Sequence, residues 1–164
     1  MNTAKAISLR GIAIAAALAA IGVHRLAVAE GHVEEIAAQT QGGASHEERR
    51  RLVADHLPLS PSEAQRFWPL YERYQKDLSR VVEQRTEIIA KLGEHYDDMP
   101  DAVARQITVD NLELQETRLR LIKSYLPKFE KVLPPRKLAR YYQIEARIRA
   151  AVDAEIAERI PLIQ

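Results

Sequence analysis

The feature that most constrains the fold is a helix start at Ser60, followed by a long stretch without turn residues. The Ser60 hydroxyl can accept a bond from an orphan backbone N–H, Pro61 suits the first helical position, and Glu63 can complete a capping box. Apolar residues then recur mainly at steps of three and four: Phe67, Tyr71, Tyr74, Leu78, Val81, Ile88 and Leu92. This spacing predicts a helix over residues 61–95, about 50 Å long, that packs lengthwise against a partner helix.

Three further helices are predicted around this one. A second capping box at residues 45–48 predicts a short helix that ends near His56, before Pro58. Turn residues follow the long helix, and helical patterns then cover residues 102–132 and 136–159. No stretch alternates like a strand. We therefore expect an all-α fold, an elongated antiparallel hairpin of two long helices flanked by two shorter ones, and its exposed stripes favour a homodimer.

The first 29 residues have the pattern of a secretory signal peptide. A basic front carrying Lys5 and Arg10 precedes an apolar run, and the small residues before Glu30 form a cleavage site after Ala29. Residues 30–44 are polar and are expected to form a flexible arm, and residues 45–164 form the helical domain. This pattern predicts an exported, periplasmic protein, with retention of the segment as an anchor as the alternative.

Charge is distributed unevenly in a chain with a net charge of only +1. Residues 118–149 hold ten basic and two acidic residues, with tyrosines and a phenylalanine among them. Such a surface would attract acidic, partly unfolded proteins or anionic lipid headgroups, and export argues against nucleic acid. The alternative is a charge-balanced pairing with acids of the long helix. The candidate client-binding residues are Arg118, Lys123, Tyr125, Lys128, Phe129, Arg136, Lys137, Arg140 and Tyr141.

No motif for enzyme chemistry occurs in the sequence. It lacks G-x-S-x-G, a phosphate-binding loop and H-E-x-x-H, and it contains no cysteine. We therefore predict a protein that is not an enzyme and needs no cofactor. No two histidines after residue 29 have the helical spacing of a metal-binding pair, so no metal site is expected; His46, His56 and Glu63 are the weak candidates.

Two residues of the long helix allow two interpretations each. Arg85 occupies a core position of the stripe, where its side chain could extend past the apolar residues or pair with Glu113 or Glu116 of the facing helix. Trp68, the only tryptophan, could be a core residue or an exposed binding contact near the helix start.

Two similar breaks carry a family resemblance. Leu59-Ser60-Pro61-Ser62-Glu63 and Leu133-Pro134-Pro135-Arg136-Lys137 each precede a helix. With the signal pattern and the hairpin, they resemble the LTxxQ family of periplasmic proteins, which includes Spy- and CpxP-like envelope-stress proteins, sensors and metal-resistance proteins. Ser60 and Glu63 depart conservatively from the motif, whereas Pro134 and Lys137 depart strongly.

The resemblance implies a cradle-shaped dimer that binds other proteins. The leading expectation is a chaperone or envelope-stress factor that captures client segments. The alternative is a sensor that regulates a membrane signalling protein, in a sigma-factor or two-component system, with or without a metal. The helix-cap motif itself consists of Leu59, Ser60, Pro61 and Glu63.

Overall fold

A computed structural model describes residues 46–160 and 162–163. Their only regular elements are four helices: α1 (His46–His56), α2 (Pro61–Glu94), α3 (Asp101–Glu130) and α4 (Pro135–Arg159). This confirms the predicted all-α fold, and each helix starts and ends within two residues of its predicted limits. The signal peptide, the arm and the Ser45 cap lie outside the described residues.

The predicted capping box at the start of α2 is present. The Glu63 amide donates a hydrogen bond to the Ser60 hydroxyl (3.3 Å), and the Ser60 amide donates to the Glu63 carboxylate (2.7 Å). At the second break, Pro134 precedes α4 without a side-chain cap. Because Pro134 has no side-chain oxygen, the two breaks share their position before a helix but differ in how they start it.

The long helices α2 and α3 pack as an antiparallel hairpin. Phe67, early in α2, contacts Phe129, late in α3, whereas Lys91 reaches Asp110 at the other end of the pair. Helix α4 then returns alongside α2, which its side chains contact along its length, and the short α1 packs against α4. α2 is therefore the central helix of the molecule.

Most of the core lies at one end of the bundle, which we call the closed end. Here the rings of Phe67, Tyr71, Phe129 and Tyr141 are fully buried, with the Phe129 and Tyr141 centroids 4.8 Å apart. Tilted and edge-to-face contacts connect α2, α3 and α4 through these rings. Such aromatic pairs add to the stability that burial alone provides.

The opposite end, which we call the open end, has a much smaller core. Ile89 of α2 and Ile156 of α4 form its buried cluster, with Val152 and Ile160 packed against them, and Ile107 of α3 is also buried. Helix α3 exposes three leucines spaced seven residues apart: Leu112, Leu119 and Leu126. Among the described residues, none of the three belongs to either apolar cluster.

Candidate functional site

A groove opens between α3 and α4, with α2 as its floor. The two walls make few direct contacts with each other, and the groove encloses about 890 Å³. Its apolar lining comes from all three helices: Leu78, Val81, Leu114, Ile122, Val152 and Ile156. The groove therefore offers a long apolar surface between the walls formed by α3 and α4.

A buried polar network borders the groove toward the closed end. The Glu145 carboxylate accepts hydrogen bonds from Arg49 Nη1 (3.2 Å) and from Gln75 Nε2 (3.3 Å). Burial raises the pKa of Glu145, and the adjacent Arg49 opposes this effect. Because the carboxylate is enclosed, Arg49 is needed to balance its charge, so this pair ties α1 to α4.

Arg85 lies further along the groove, and its partner differs from the prediction. Its Nη2 lies 2.8 Å from Asp153 Oδ1, so Arg85 pairs with α4 and not with Glu113 or Glu116 of α3. Both of those glutamates are exposed. The heptad position correctly indicated that Arg85 faces inward, but two helices lie on that side of α2.

Two further arginines face the groove, one from each wall. Arg118 of α3 and Arg149 of α4 are both partly buried. Desolvation lowers the pKa of Arg118, and the positive charge of Arg149 lowers it further. Among the described residues, neither arginine has a carboxylate within ion-pair distance. Asp153 raises the pKa of Arg118 from beyond ion-pair distance, so the groove lining carries two cations without a direct carboxylate partner among the described residues.

The three aromatic residues predicted to contact clients lie in the core. Tyr125 is 5% exposed, and Phe129 and Tyr141 are completely buried. The Tyr125 hydroxyl donates a 2.6 Å hydrogen bond to Asp77, and burial together with that carboxylate raises the pKa of Tyr125 to about 12. The prediction of a surface aromatic patch was wrong, because these rings fill the stripe that closes the bundle.

The other five cations of the predicted patch have three different environments. Lys137 pairs with Glu63, and Arg140 Nε donates a 2.6 Å hydrogen bond to the His56 carbonyl, so both tie α4 to the α1–α2 segment. Lys128 lies 4.0 Å from the Tyr125 ring centroid in a cation–π contact. Lys123 and Arg136 are exposed. The structure does not bring the predicted cations together with Arg118 into one surface.

The weak metal candidates have separate partners. His46 Nε2 lies 2.6 Å from Glu72, His56 Nδ1 donates to the Leu52 carbonyl (2.9 Å), and Glu63 binds Lys137. Within residues 46–160, no three His, Asp or Glu side chains are arranged to hold a metal ion. The structure thus does not assemble the predicted set.

Trp68 lies between the buried and the exposed position that the sequence allowed. It is partly buried and makes edge contacts with Phe67 and Tyr71, while the Arg50 guanidinium lies 4.6 Å from its ring centroid. Because Arg50 belongs to α1, Trp68 holds α1 against α2. Its role in the fold is a contact between helices.

The sequence interpretation missed Glu145. The signal was available, since Glu145 lies four residues after Tyr141 and three before Ile148, within the buried stripe of α4. A carboxylate at such a position predicts a buried charge that requires a partner. Arg49, in contrast, could not be identified as that partner from its spacing along α1.

No protein-family model matches this chain, and no match was found among curated proteins or solved structures. The LTxxQ resemblance therefore depends on the two breaks and the helical pattern alone. In the part of the chain that the structure describes, no helix is both long enough and apolar enough to cross a membrane.

Proposed function

We propose that this chain is a non-enzymatic protein-binding protein that holds segments of other proteins in the groove between α3 and α4. The observation that carries the proposal is the groove itself, an open apolar surface along three helices whose lining includes two arginines without an ion pair among the described residues. Contiguous apolar surface of this kind marks interaction sites more often than it occurs by chance on a monomer. The proposed interaction needs no cofactor.

The proposed location is the periplasm, after cleavage behind Ala29. The signal pattern of residues 1–29 supports this location, and the resemblance to Spy- and CpxP-like proteins suggests the role of a chaperone or envelope-stress factor. The proposed clients are unfolded or regulatory proteins of the envelope, with peripheral membrane contact through exposed cations such as Lys123 and Arg136 as an additional interaction.

The proposed assembly is a homodimer formed through the exposed leucines of α3, whose central member Leu119 lies at the edge of the groove. If two α3 helices cross antiparallel at Leu119, Leu112 of one copy faces Leu126 of the other. Residues 106–117 carry three acids and no base, whereas residues 118–128 carry four bases and no acid. An antiparallel arrangement therefore places the acidic half of each helix beside the basic half of its partner.

Sedimentation of Leu112→Asp tests this assembly. We expect the wild type to sediment as a dimer and the variant to shift toward the monomer, because a carboxylate would replace a leucine in the seam. The matched control is Ala146→Asp on the exposed face of α4. A monomeric wild type, or a variant that dimerises normally, would exclude this interface.

The experiment for the binding function is an aggregation assay with the purified chain. Light scattering of a denatured client is followed at low and at high salt, because charge-steered capture weakens with screening. Val82→Glu places a charge in the groove, and Ala146→Glu places the same charge on the exposed face of α4. We expect suppression by the wild type and by Ala146→Glu, and its loss in Val82→Glu.

A regulator of a membrane signalling protein is the second candidate function. The fixed positions of Arg118 and Arg149 favour it, since two charges at defined places suit one partner better than many clients. Such a regulator would not suppress aggregation of unrelated clients. It would instead bind the exported domain of one membrane protein, which crosslinking at Val82 in intact cells would identify.

A further inference from the structure

The groove combines apolar walls with charges at its mouth. Arg85 and Arg49 also line the groove, but each has a carboxylate partner, Asp153 and Glu145 respectively. Glu83 is a further acid in the lining, and it is exposed. Two arginines therefore remain without an ion pair within the described chain, Arg118 and Arg149.

These two arginines face the same opening from opposite sides. Arg118 follows Leu114 by one helical turn on α3, and Arg149 precedes Val152 by three residues on α4. Each cation thus lies beside an apolar residue of its own wall. A partly desolvated guanidinium without an ion-pair partner is unfavourable, and a carboxylate that accepts two of its N–H hydrogen bonds relieves that cost.

A ligand that satisfies both features must be apolar on one face and acidic along its edges. We infer that the groove binds an amphipathic helix of a partner protein, with glutamate or aspartate side chains paired to Arg118 and Arg149. α2, α3 and α4 form three sides of a bundle, so a docked helix would complete a fourth, as in other helix-in-groove complexes. This inference deepens the proposed function and rests on it.

The test uses two synthetic helical peptides of about five turns. Both carry the same leucine stripe, and all other positions are glutamate in one and lysine in the other. Fluorescence anisotropy of the labelled peptides is measured with the full chain at low salt. We expect the glutamate peptide to bind at least about tenfold more tightly than the lysine peptide, since charge-assisted hydrogen bonds would form only with the former.

Matched variants test which arginines contribute to binding of the glutamate peptide. Arg118→Ala and Arg149→Ala should each weaken the glutamate peptide by about tenfold. Arg120→Ala and Arg147→Ala are the controls, because these arginines lie two residues away on the same helices, are exposed and do not line the groove. The controls should bind like the wild type, and far-UV circular dichroism checks that all four variants remain helical.

Three results would overturn the inference, and they differ in what they imply for the proposed function. Equal binding of both peptides, lost in Val82→Glu, would keep the groove as a binding site but remove the role of the arginines. Failure of both peptides while client protection persists would place the binding site elsewhere. Failure of both peptides together with absent client protection would remove the proposed function as well.

A fourth result would change the occupant. Residues 30–44 contain three glutamates and no lysine or arginine, and His46, the first described residue, lines the groove. Binding of the glutamate peptide only after residues 30–44 are deleted would show that the chain's own acidic segment fills the groove. That outcome would overturn a partner helix as its occupant.

Discussion

The closed and open ends of the molecule are built from the same three helices but differ in how they are held together. At the closed end, large aromatic rings from α2, α3 and α4 pack against one another and exclude water. At the open end, the buried cluster consists of Ile89 and Ile156, and α3 buries Ile107. The closed end thus provides stability, and the open end leaves apolar surface available for binding.

The largest effect is expected from Phe67→Ala, at the centre of the closed end. The Phe67 ring is fully buried and contacts the rings of Trp68, Tyr71, Phe129 and Tyr141. Its truncation should lower the free energy of unfolding by about 3–5 kcal/mol, because a large cavity would replace these contacts. Urea denaturation followed by far-UV circular dichroism measures the change. A loss below about 1 kcal/mol would contradict the conclusion that the closed end provides the stability of the fold.

A slightly smaller effect is expected at the border of the two ends. Arg49→Ala would leave the Glu145 carboxylate buried without its cation. We expect a loss of about 3 kcal/mol, because removing one partner of a buried ion pair strands the other charge. Arg51→Ala, on the exposed face of the same helix, is the control and should behave like the wild type in the same urea experiment. Equal stability of the two variants would show that Glu145 is solvated without Arg49.

Ile156→Ala examines the open end. Ile156 is buried, and among the described residues its apolar cluster is small, with Ile89, Val152 and Ile160. The expected loss is about 2 kcal/mol, at the low end for such truncations, because few surrounding atoms lose contacts. Thermal unfolding of this variant beside Phe67→Ala gives the comparison directly. If Ile156→Ala proved the more damaging, the contrast between the two ends would have to be reversed.

The smallest effect concerns pH and the cap of α2. Lys137 and the Ser60 amide lower the pKa of Glu63 to about 2, from an ordinary value of 4.5. The ionised carboxylate therefore stabilises the fold above about pH 4.5, and this contribution is lost as the pH falls toward about 2.

In Glu63→Gln the melting temperature should lie below that of the wild type near neutral pH, and the difference should shrink on acidification. Glu158→Gln, exposed on α4, serves as the control. A difference independent of pH would exclude this ion pair as its cause.

The helix limits could be predicted from the sequence because their determinants are local. The capping box of Ser60 and Glu63 lies within four residues, and prolines mark the break before α4. The spacing of apolar residues then identified most of the buried face of α2. Such features can be recognised in the sequence without knowing which helices pack against each other.

The groove could not be predicted in the same way, because it depends on how three helices diverge. The partner of Arg85 was misassigned for this reason, since the heptad pattern gives the direction of a side chain and not the identity of the facing helix. The error over Tyr125, Phe129 and Tyr141 was avoidable. These residues occupy stripe positions, where burial is the ordinary outcome for an aromatic ring.

The position of Trp68 gives the molecule a built-in optical reporter. It is the only tryptophan in the chain, and it lies at the closed end between Arg50 of α1 and the rings of α2. Intrinsic emission will therefore respond when α1 detaches or the closed end loosens, while far-UV circular dichroism records helix throughout the bundle. Coincident melting curves from the two signals would show that both ends unfold as one cooperative unit. Earlier loss of ellipticity, while the emission stays native, would mean that the groove end frays first.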